Sequence, residues 1–150
     1  MNVIFTCGGT GGHINPAIAL ANNLRSRDPD CRILFVGCIG GMEEQLVPKA
    51  GYEIKCLPGS RFFRQLNFQN LKRNIQGVGR ILSALKGAKK IIREFQPDVI
   101  VGTGGYASFP ALYMGSKMGI PTCVHEANAV PGLATRLAAG SADRILVNSA

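Results

Sequence analysis

The sequence lacks the paired cysteines and histidines from which most metal sites are built. It has two histidines and no tryptophan, and its five cysteines are scattered without a Cys-x-x-Cys pair. We therefore expect no metal site and no other cofactor. Cysteines that stand in or beside apolar runs behave as small hydrophobic residues, so the pattern favours a reducing compartment such as the cytoplasm.

Long hydrophobic runs are missing as well. No stretch of 18 uninterrupted apolar residues occurs, and residues Met1 to Phe5 have neither the basic start nor the apolar core of a signal peptide. The sequence thus predicts no signal peptide and no membrane-spanning helix. With 150 residues, 46% of them hydrophobic, the chain can bury one ordinary domain but not two.

Acidic residues are absent from one long interval of the chain. Between Glu53 and Glu94 there is no Asp or Glu, whereas ten of the seventeen Lys and Arg residues lie there. The remaining seven bases face nine acids, so this basic interval carries the whole excess of the formal net charge of +8. Its partner should be anionic: a membrane surface, a nucleic acid or an acidic substrate.

Short β-branched runs alternate with helical patterns along the chain, which predicts an α/β fold with a parallel sheet. The expected strands are Val3 to Cys7, Arg32 to Gly37, Glu53 to Leu57, Val99 to Gly102, Thr122 to His125 and Arg144 to Asn148. The expected helices are Pro16 to Ser26, Met42 to Ala50, Phe68 to Glu94, Phe109 to Met118 and Pro131 to Ala139. Ligands of such sheets bind at the carboxyl ends of strands, so the loops after strands one, four and five should converge.

The loop after the first strand is the richest in glycine and reads Cys7-Gly8-Gly9-Thr10-Gly11-Gly12-His13. Asn15 is the expected N-cap of the helix that follows, with Pro16 in its first turn. A glycine turn that opens a helix offers backbone N–H groups and the positive end of a helix dipole to an anion, so we expect a phosphate. The alternative is a plain tight turn with a surface histidine.

The first glycine loop matches neither of the two commonest phosphate motifs. A dinucleotide fingerprint needs a third glycine where Ile14 stands, and the second strand ends without a ribose-binding acid. A P-loop needs Lys and Ser or Thr after its last glycine, where this sequence has His13. An acid/base side chain beside a phosphate site suits a transferase.

Two further loops carry polar chemistry at strand ends. Gly102-Thr103-Gly104-Gly105-Tyr106 is a second glycine turn, and His125-Glu126-Ala127-Asn128 follows the fifth strand. The second motif is not the zinc motif HExxH, because Ala129 takes the place of the second histidine. A nucleic-acid partner would leave all three loops unexplained, so we expect none.

Several motifs together resemble the MurG family of bacterial N-acetylglucosaminyltransferases, which belong to glycosyltransferase family 28. They are GGTGGH at 8–13, MEEQLVPKAGYEI at 42–54, QPDVIVG at 96–102, GTGGY at 102–106 and HEAN at 125–128. The resemblance implies a Rossmann-like doubly wound parallel sheet, the amino-terminal half of a glycosyltransferase-B fold. It also implies inverting transfer of N-acetylglucosamine from UDP-GlcNAc to the C4 hydroxyl of the N-acetylmuramyl unit of lipid I, a step of peptidoglycan biosynthesis.

The resemblance implies roles for individual residues. His13 is similar to the family's proposed general base, and Thr10, Gly11, Gly12 and Asn128 resemble positions that touch the donor. The acceptor diphosphate is expected at Gly8, Gly9, Gly11, Gly12, Gly102, Gly104, Gly105 and Tyr106. His125 and Glu126 match positions near the site without a settled role, and His125 is equally well read as a hydrogen-bonded structural histidine.

The resemblance also gives the basic interval a meaning, because the family is thought to dock on the membrane through an apolar patch ringed by bases. The expected contacts are Arg64, Lys72, Arg73, Ile75, Arg80, Leu82, Leu85, Lys86 and Lys89. The apolar stripe of Phe68, Leu71, Ile75, Val78, Leu82 and Leu85 is expected to be mostly core. Some of the apolar residues outside the stripe are expected to touch lipid together with the bases; these residues are Phe62, Phe63, Leu66, Ile81 and Ile91. The expected location is the cytoplasmic face of the inner membrane, peripherally attached.

The family's proteins are more than twice as long as this chain. We expect residues 1–150 to be the acceptor-binding, membrane-associating domain, with the donor-binding domain outside this sequence. The second domain could be joined in one chain or supplied by another. The alternative function is a non-catalytic, membrane-recruiting acceptor subunit of a two-chain glycosyltransferase.

Overall fold

The computed structural model describes residues 1–58, 71–127, 133–140 and 142–147. Its strands are β1 Asn2–Thr6, β2 Arg32–Cys38, β3 Glu53–Leu57, β4 Val99–Gly102, β5 Thr122–Glu126 and β6 Arg144–Val147. Its helices are α1 Gly11–Arg27, α2 Glu43–Lys49, α3 Leu71–Phe95, α4 Ser108–Lys117 and α5 Leu133–Ala139. The expected starts of the third and fifth helices and the end of the sixth strand, Phe68, Pro131 and Asn148, lie outside the described residues.

The six strands form one sheet in the order β3-β2-β1-β4-β5-β6, and every pairing is parallel. This confirms the predicted α/β class, and the order is that of a Rossmann-like sheet. The order reverses between β1 and β4, whose last residues Thr6 and Gly102 stand opposite each other. Both glycine loops therefore leave the sheet at its topological switch point, where ligands of open α/β sheets bind.

Two hydrophobic cores cover the faces of the sheet, because strand side chains alternate between them. On one face Val3 and Phe5 of β1 pack with Ile14 and Ala17 of α1 and Val47 of α2. On the other face the core joins β1, β2, β4 and β5 to α3, α4 and α5 through Ile4, Leu34, Ile100, Val124, Ala88, Leu112 and Ala138. Burial on both faces explains why the central strands read as continuous apolar runs.

Helix α1 begins five residues earlier than the sequence indicated. Thr10, not Asn15, is the N-cap, with φ −144° and ψ 156°, and its carbonyl accepts the N–H groups of His13 and Ile14. Pro16 consequently lies inside the helix and not in its first turn. The prediction was wrong because a proline this close to a helix start removes only one early hydrogen bond, which the packing of Ile14 and Ala17 outweighs.

Helix α3 is rotated relative to the predicted apolar stripe. Its buried face carries Ala84, Ala88, Ile91 and Ile92, so Ile91, at 8% exposed, is not one of the off-stripe residues that touch lipid. Leu82, which belongs to the stripe expected to be mostly core but was also an expected membrane contact, is 53% exposed, and Leu85 is half-buried. The core face contains alanines because α3 packs closely on its neighbours. A search for large apolar residues at helical spacing therefore does not find this face.

None of the helices among the described residues is long and apolar enough to cross a membrane.

Candidate functional site

The two glycine loops pack directly against each other at the switch point. The N–H of Thr103 donates to the carbonyl of Thr6 at 3.1 Å, which continues the pairing of β1 and β4 into the loops. Gly105 has φ +82° and lies so close to Gly8 that an added Cβ would overlap the Gly8 carbonyl oxygen. The predicted convergence of these loops is confirmed, and β5 is the next strand in the sheet.

His13 and Thr103 bridge the two loops by a reciprocal contact. The Thr103 hydroxyl donates to the His13 carbonyl at 2.6 Å, and Nδ1 of His13 lies 3.2 Å from the Thr103 carbonyl. A carbonyl oxygen can only accept, so this contact requires the proton on Nδ1 and leaves the lone pair on Nε2. The half-buried imidazole is thus held in the tautomer that a general base with a reactive Nε2 needs.

Two buried hydroxyl groups form hydrogen bonds where the glycine loops join the sheet and helix α4. Neither residue was predicted from the sequence. Thr6 Oγ1 donates to the carbonyl of Val36 at 3.0 Å and lies 3.3 Å from that of Ala107. Ser108 Oγ lies 2.6 Å from the carbonyl of Gly104. Both hydroxyls are buried and use backbone acceptors, so they stiffen the frame around the site.

The amides of the first glycine loop are not all directed to a ligand. Gly11 and Gly12 form the first turn of α1, where backbone N–H groups have no partner within the helix. Thr10 makes no side-chain cap hydrogen bond. The Gly9 N–H, in contrast, donates to Oε2 of Glu43 at 3.2 Å. The expectation of an anion at this loop therefore rests chiefly on Gly11 and Gly12.

Glu43 is the site-adjacent residue that sequence reasoning missed. It begins α2, is fully buried, and also accepts the Cys38 N–H at 2.9 Å on Oε1. An acidic residue in the first turn of a helix is ordinarily exposed, where its negative charge interacts favourably with the positive end of the helix dipole. The only signal for burial was the pair Gly40-Gly41 just before it, which permits a close turn.

The structure places the first two residues of the predicted third loop on the fifth strand, and their roles stay a prediction. His125 and Glu126 belong to β5 itself, adjacent to β4, and alternate so that Glu126 is 2% exposed while His125 is half-buried. Tyr106 is half-buried at the end of the second glycine loop. Asn128, expected at the donor, lies outside the described residues.

The cysteine nearest the site is not a nucleophile at neutral pH. Burial, reinforced by the charge of Glu43, raises the pKa of the Cys7 thiol to about 12. Burial also raises the pKa of Cys56 to about 11, with Glu44 and Glu43 adding to the effect. Because the thiolate is the reactive form and the Cys7 side chain is fully buried, the structure gives Cys7 no role as a nucleophile although it directly precedes the glycine loop. Among the described residues no group of three or more His, Cys, Asp or Glu side chains could hold a metal ion.

A Rossmann-like sheet with two glycine loops packed together at its switch point, and an imidazole held between them, places the chain in the class of doubly wound α/β ligand-binding domains. The chain belongs to glycosyltransferase family 28: the model of the "Glycosyltransferase family 28 N-terminal domain" matches residues 3–147. This places the fold as the amino-terminal half of a glycosyltransferase-B protein.

Relatives with curated names are longer than this chain. It is 45% identical over 148 residues to the UDP-N-acetylglucosamine–N-acetylmuramyl-(pentapeptide) pyrophosphoryl-undecaprenol N-acetylglucosamine transferase of Alkaliphilus oremlandii, covering 99% of this chain and 39% of that protein. It is 40% identical to the protein of the same name from Clostridioides difficile, covering 99% and 35%. The chain therefore spans less than half the length of these relatives.

A solved structure shares both the fold and part of the sequence. The crystal structure of Acinetobacter baumannii MurG matches with a TM-score of 0.81 and 25% identity, covering 99% of this chain and 42% of that one. The fold and the family resemblance drawn from the sequence motifs are confirmed.

Proposed function

We propose that residues 1–150 are the acceptor-binding domain of an inverting hexosyltransferase. The reaction is transfer of N-acetylglucosamine from UDP-GlcNAc to the C4 hydroxyl of the N-acetylmuramyl unit of undecaprenyl-pyrophosphoryl-MurNAc-pentapeptide, which converts lipid I to lipid II. Support comes from relatives that bear this activity in their names at 40 to 45% identity. The enzyme-domain reading is favoured over a non-catalytic subunit, because these relatives are named as transferases.

The observation that carries the proposal is the imidazole held between the two glycine loops. With Nδ1 fixed on the Thr103 carbonyl, Nε2 of His13 takes the proton of the C4 hydroxyl. The C4 oxygen forms a bond to the anomeric carbon of GlcNAc as the bond to UDP breaks, so the configuration inverts. UDP leaves with the bonding electron pair, and the imidazolium returns the proton to water.

The glycine loops hold the acceptor diphosphate in this proposal. The first turn of α1 contributes the amides of Gly11 and Gly12 and the positive end of a 17-residue helix. The second loop contributes Gly102, Gly104, Gly105 and Tyr106 from the adjacent strand end. Thr10, Gly11 and Gly12 also face the donor, whose main binding site we assign to a second domain in cis or in trans.

The exposed face of α3 provides the membrane surface in this proposal. Arg80, Leu82, Lys86 and Lys89 are exposed, and Leu85 is half-buried. Arg64 lies outside the described residues, as do the side chains of Lys72, Arg73 and Ile75. Bases beside an exposed leucine suit peripheral attachment to anionic lipid at the cytoplasmic face of the inner membrane.

Removing two of these charges should weaken vesicle binding. Each base near an anionic surface contributes about 1 kcal/mol, so the Lys86→Gln/Lys89→Gln variant should lose about 2 kcal/mol, roughly a thirtyfold drop in partition coefficient. The measurement is cosedimentation with phosphatidylglycerol vesicles at low and high salt. Arg27→Gln/Lys49→Gln removes the same charge from exposed positions on the opposite face of the sheet and serves as the control. Equal losses in both variants would rule out α3 as the docking face.

The activity itself is tested with a fusion that joins residues 1–150 to the carboxy-terminal part of the Alkaliphilus oremlandii relative. We expect the fusion to transfer radiolabelled GlcNAc to a short-chain lipid I analogue with release of UDP. Hydrolysis of UDP-GlcNAc without transfer to that acceptor would contradict the proposal.

A further inference from the structure

A buried carboxylate lies directly beneath the first glycine loop. Glu43 is fully buried, and its two carboxylate oxygens accept one N–H each, from Cys38 at 2.9 Å and from Gly9 at 3.2 Å. The first contact anchors the end of β2, and the second reaches across to the loop after β1. One side chain therefore ties two adjacent strand ends together below the site.

Glycines make the space for this carboxylate. An added Cβ at Gly8 would lie 2.9 Å from the carboxyl carbon of Glu43, and one at Gly37 would lie 2.5 Å from its Cγ. An added Cβ at Gly41 would meet the same carboxyl group. Glycines from three separate segments therefore pack against the Glu43 side chain, so the protein has a specific binding position for this carboxylate.

We propose that Glu43 is a positioning residue for the reaction, acting through the first glycine loop on His13. The inference rests on the proposed function and adds a residue to its machinery. By holding the Gly9 N–H, Glu43 fixes the loop that leads through Thr10 into the first turn of α1. That turn carries His13, whose ring must meet the Thr103 carbonyl to keep its lone pair on Nε2.

A carboxylate is required because both of its oxygens accept. The side-chain amide of glutamine has the same shape but one acceptor, so one of the two N–H groups would face an NH₂ donor. Hydrogen bonds to a charged acceptor are stronger than those between neutral groups, which suits a group that sets the position of a loop. Glu44 is the matched control, because it is exposed and its carboxylate accepts the Gly40 N–H at 2.9 Å, away from the glycine loop that carries His13.

The first test uses nuclear magnetic resonance on the ¹⁵N,¹³C-labelled chain of 150 residues and needs no activity. In the unaltered chain we expect a scalar coupling across the hydrogen bond from the Gly9 nitrogen to the Glu43 carboxyl carbon. In Glu43→Gln we expect the Gly9 amide to exchange faster and the His13 ring to lose its preference for the Nδ1–H tautomer. Glu44→Gln should change the Gly40 amide and leave His13 as it was.

The second test measures kinetics in the active fusion. Glu43→Gln should lower kcat by about 10- to 100-fold, the cost of displacing a catalytic group by up to an ångström, with an unchanged KM for UDP-GlcNAc. Glu44→Gln should change neither constant. Absence of the Gly9 coupling in the unaltered chain, or an unchanged His13 tautomer in Glu43→Gln, would overturn the positioning role. An inactive fusion of the unaltered sequence would count against the proposed function alone, since the resonance measurements still decide the role of Glu43.

Discussion

Replacing His13 by alanine in the active fusion should lower kcat by at least about a hundredfold. General-base catalysis is typically worth ~10²- to 10⁴-fold, and a hundredfold loss corresponds to about 2.7 kcal/mol of transition-state stabilisation. The contact of Nδ1 with the Thr103 carbonyl orients the His13 ring, so alanine removes the proposed base and this half of the bridge between the loops, while the Thr103 hydroxyl can still donate to the backbone carbonyl of residue 13. Steady-state kinetics with varied UDP-GlcNAc and acceptor measure the effect.

The KM for UDP-GlcNAc shows whether His13→Ala impairs catalysis or donor binding. KM for UDP-GlcNAc should change little, because a group that acts only in the transition state lowers kcat without altering ground-state binding. Asn15→Ala is the control, since Asn15 is exposed on the same part of α1. Near-normal kcat in His13→Ala would remove His13 from the base role.

Replacing Gly105 by alanine should strongly destabilise the chain. The residue has φ +82°, which costs an L-residue about 1–2 kcal/mol. The added Cβ would also lie 2.8 Å from the carbonyl carbon of Gly8 and overlap its oxygen, and such overpacking costs about 1–3 kcal/mol more. We expect a total loss of about 2–5 kcal/mol in the free energy of unfolding, measured by urea denaturation of the 150-residue chain.

Gly119→Ala isolates the collision from the backbone strain. Gly119 has a similar φ of +74°, but an added Cβ there would have no neighbour within 4 Å. Its substitution should therefore cost only the conformational part, about 1–2 kcal/mol. Equal losses in the two variants would mean that the glycine loops do not pack as closely as the structure shows. In the fusion, Gly105→Ala should also reduce kcat, since separating the loops breaks the His13–Thr103 bridge.

The sheet and the place of the site were largely predictable from the sequence. β-branched runs separated by helical patterns gave both ends of β3 and β4, and the other strands to within one residue at every end that the structure describes. The two glycine loops fell at strand ends by the same pattern. The rule that ligands bind at the carboxyl ends of strands predicted that these loops converge. The strand order, which places β1 beside β4, is what brings Gly8 and Gly105 into contact.

The burial of Glu43, the rotation of α3 and the start of α1 depend on tertiary packing, which the hydrophobic periodicity of the sequence does not predict. Glu43 and Glu44 are adjacent acids at the start of one helix, and only the fold shows that the first is buried and the second exposed. The rotation of α3 has the same origin, because close packing selects Ala84 and Ala88 for the core and leaves Leu82 outside. Local preference likewise favoured Asn15 as a cap, whereas the contact with Thr103 fixes the start of α1 near His13.

Titration of the ¹⁵N-labelled chain of 150 residues with a short-chain lipid I analogue, and separately with UDP-GlcNAc, tests directly whether this domain is the acceptor half of the enzyme. The acceptor analogue should shift the amide resonances of residues 8–13 and 102–106 and should bind more tightly than UDP-GlcNAc. Tighter binding of UDP-GlcNAc, with no response of either glycine loop to the acceptor analogue, would contradict this assignment.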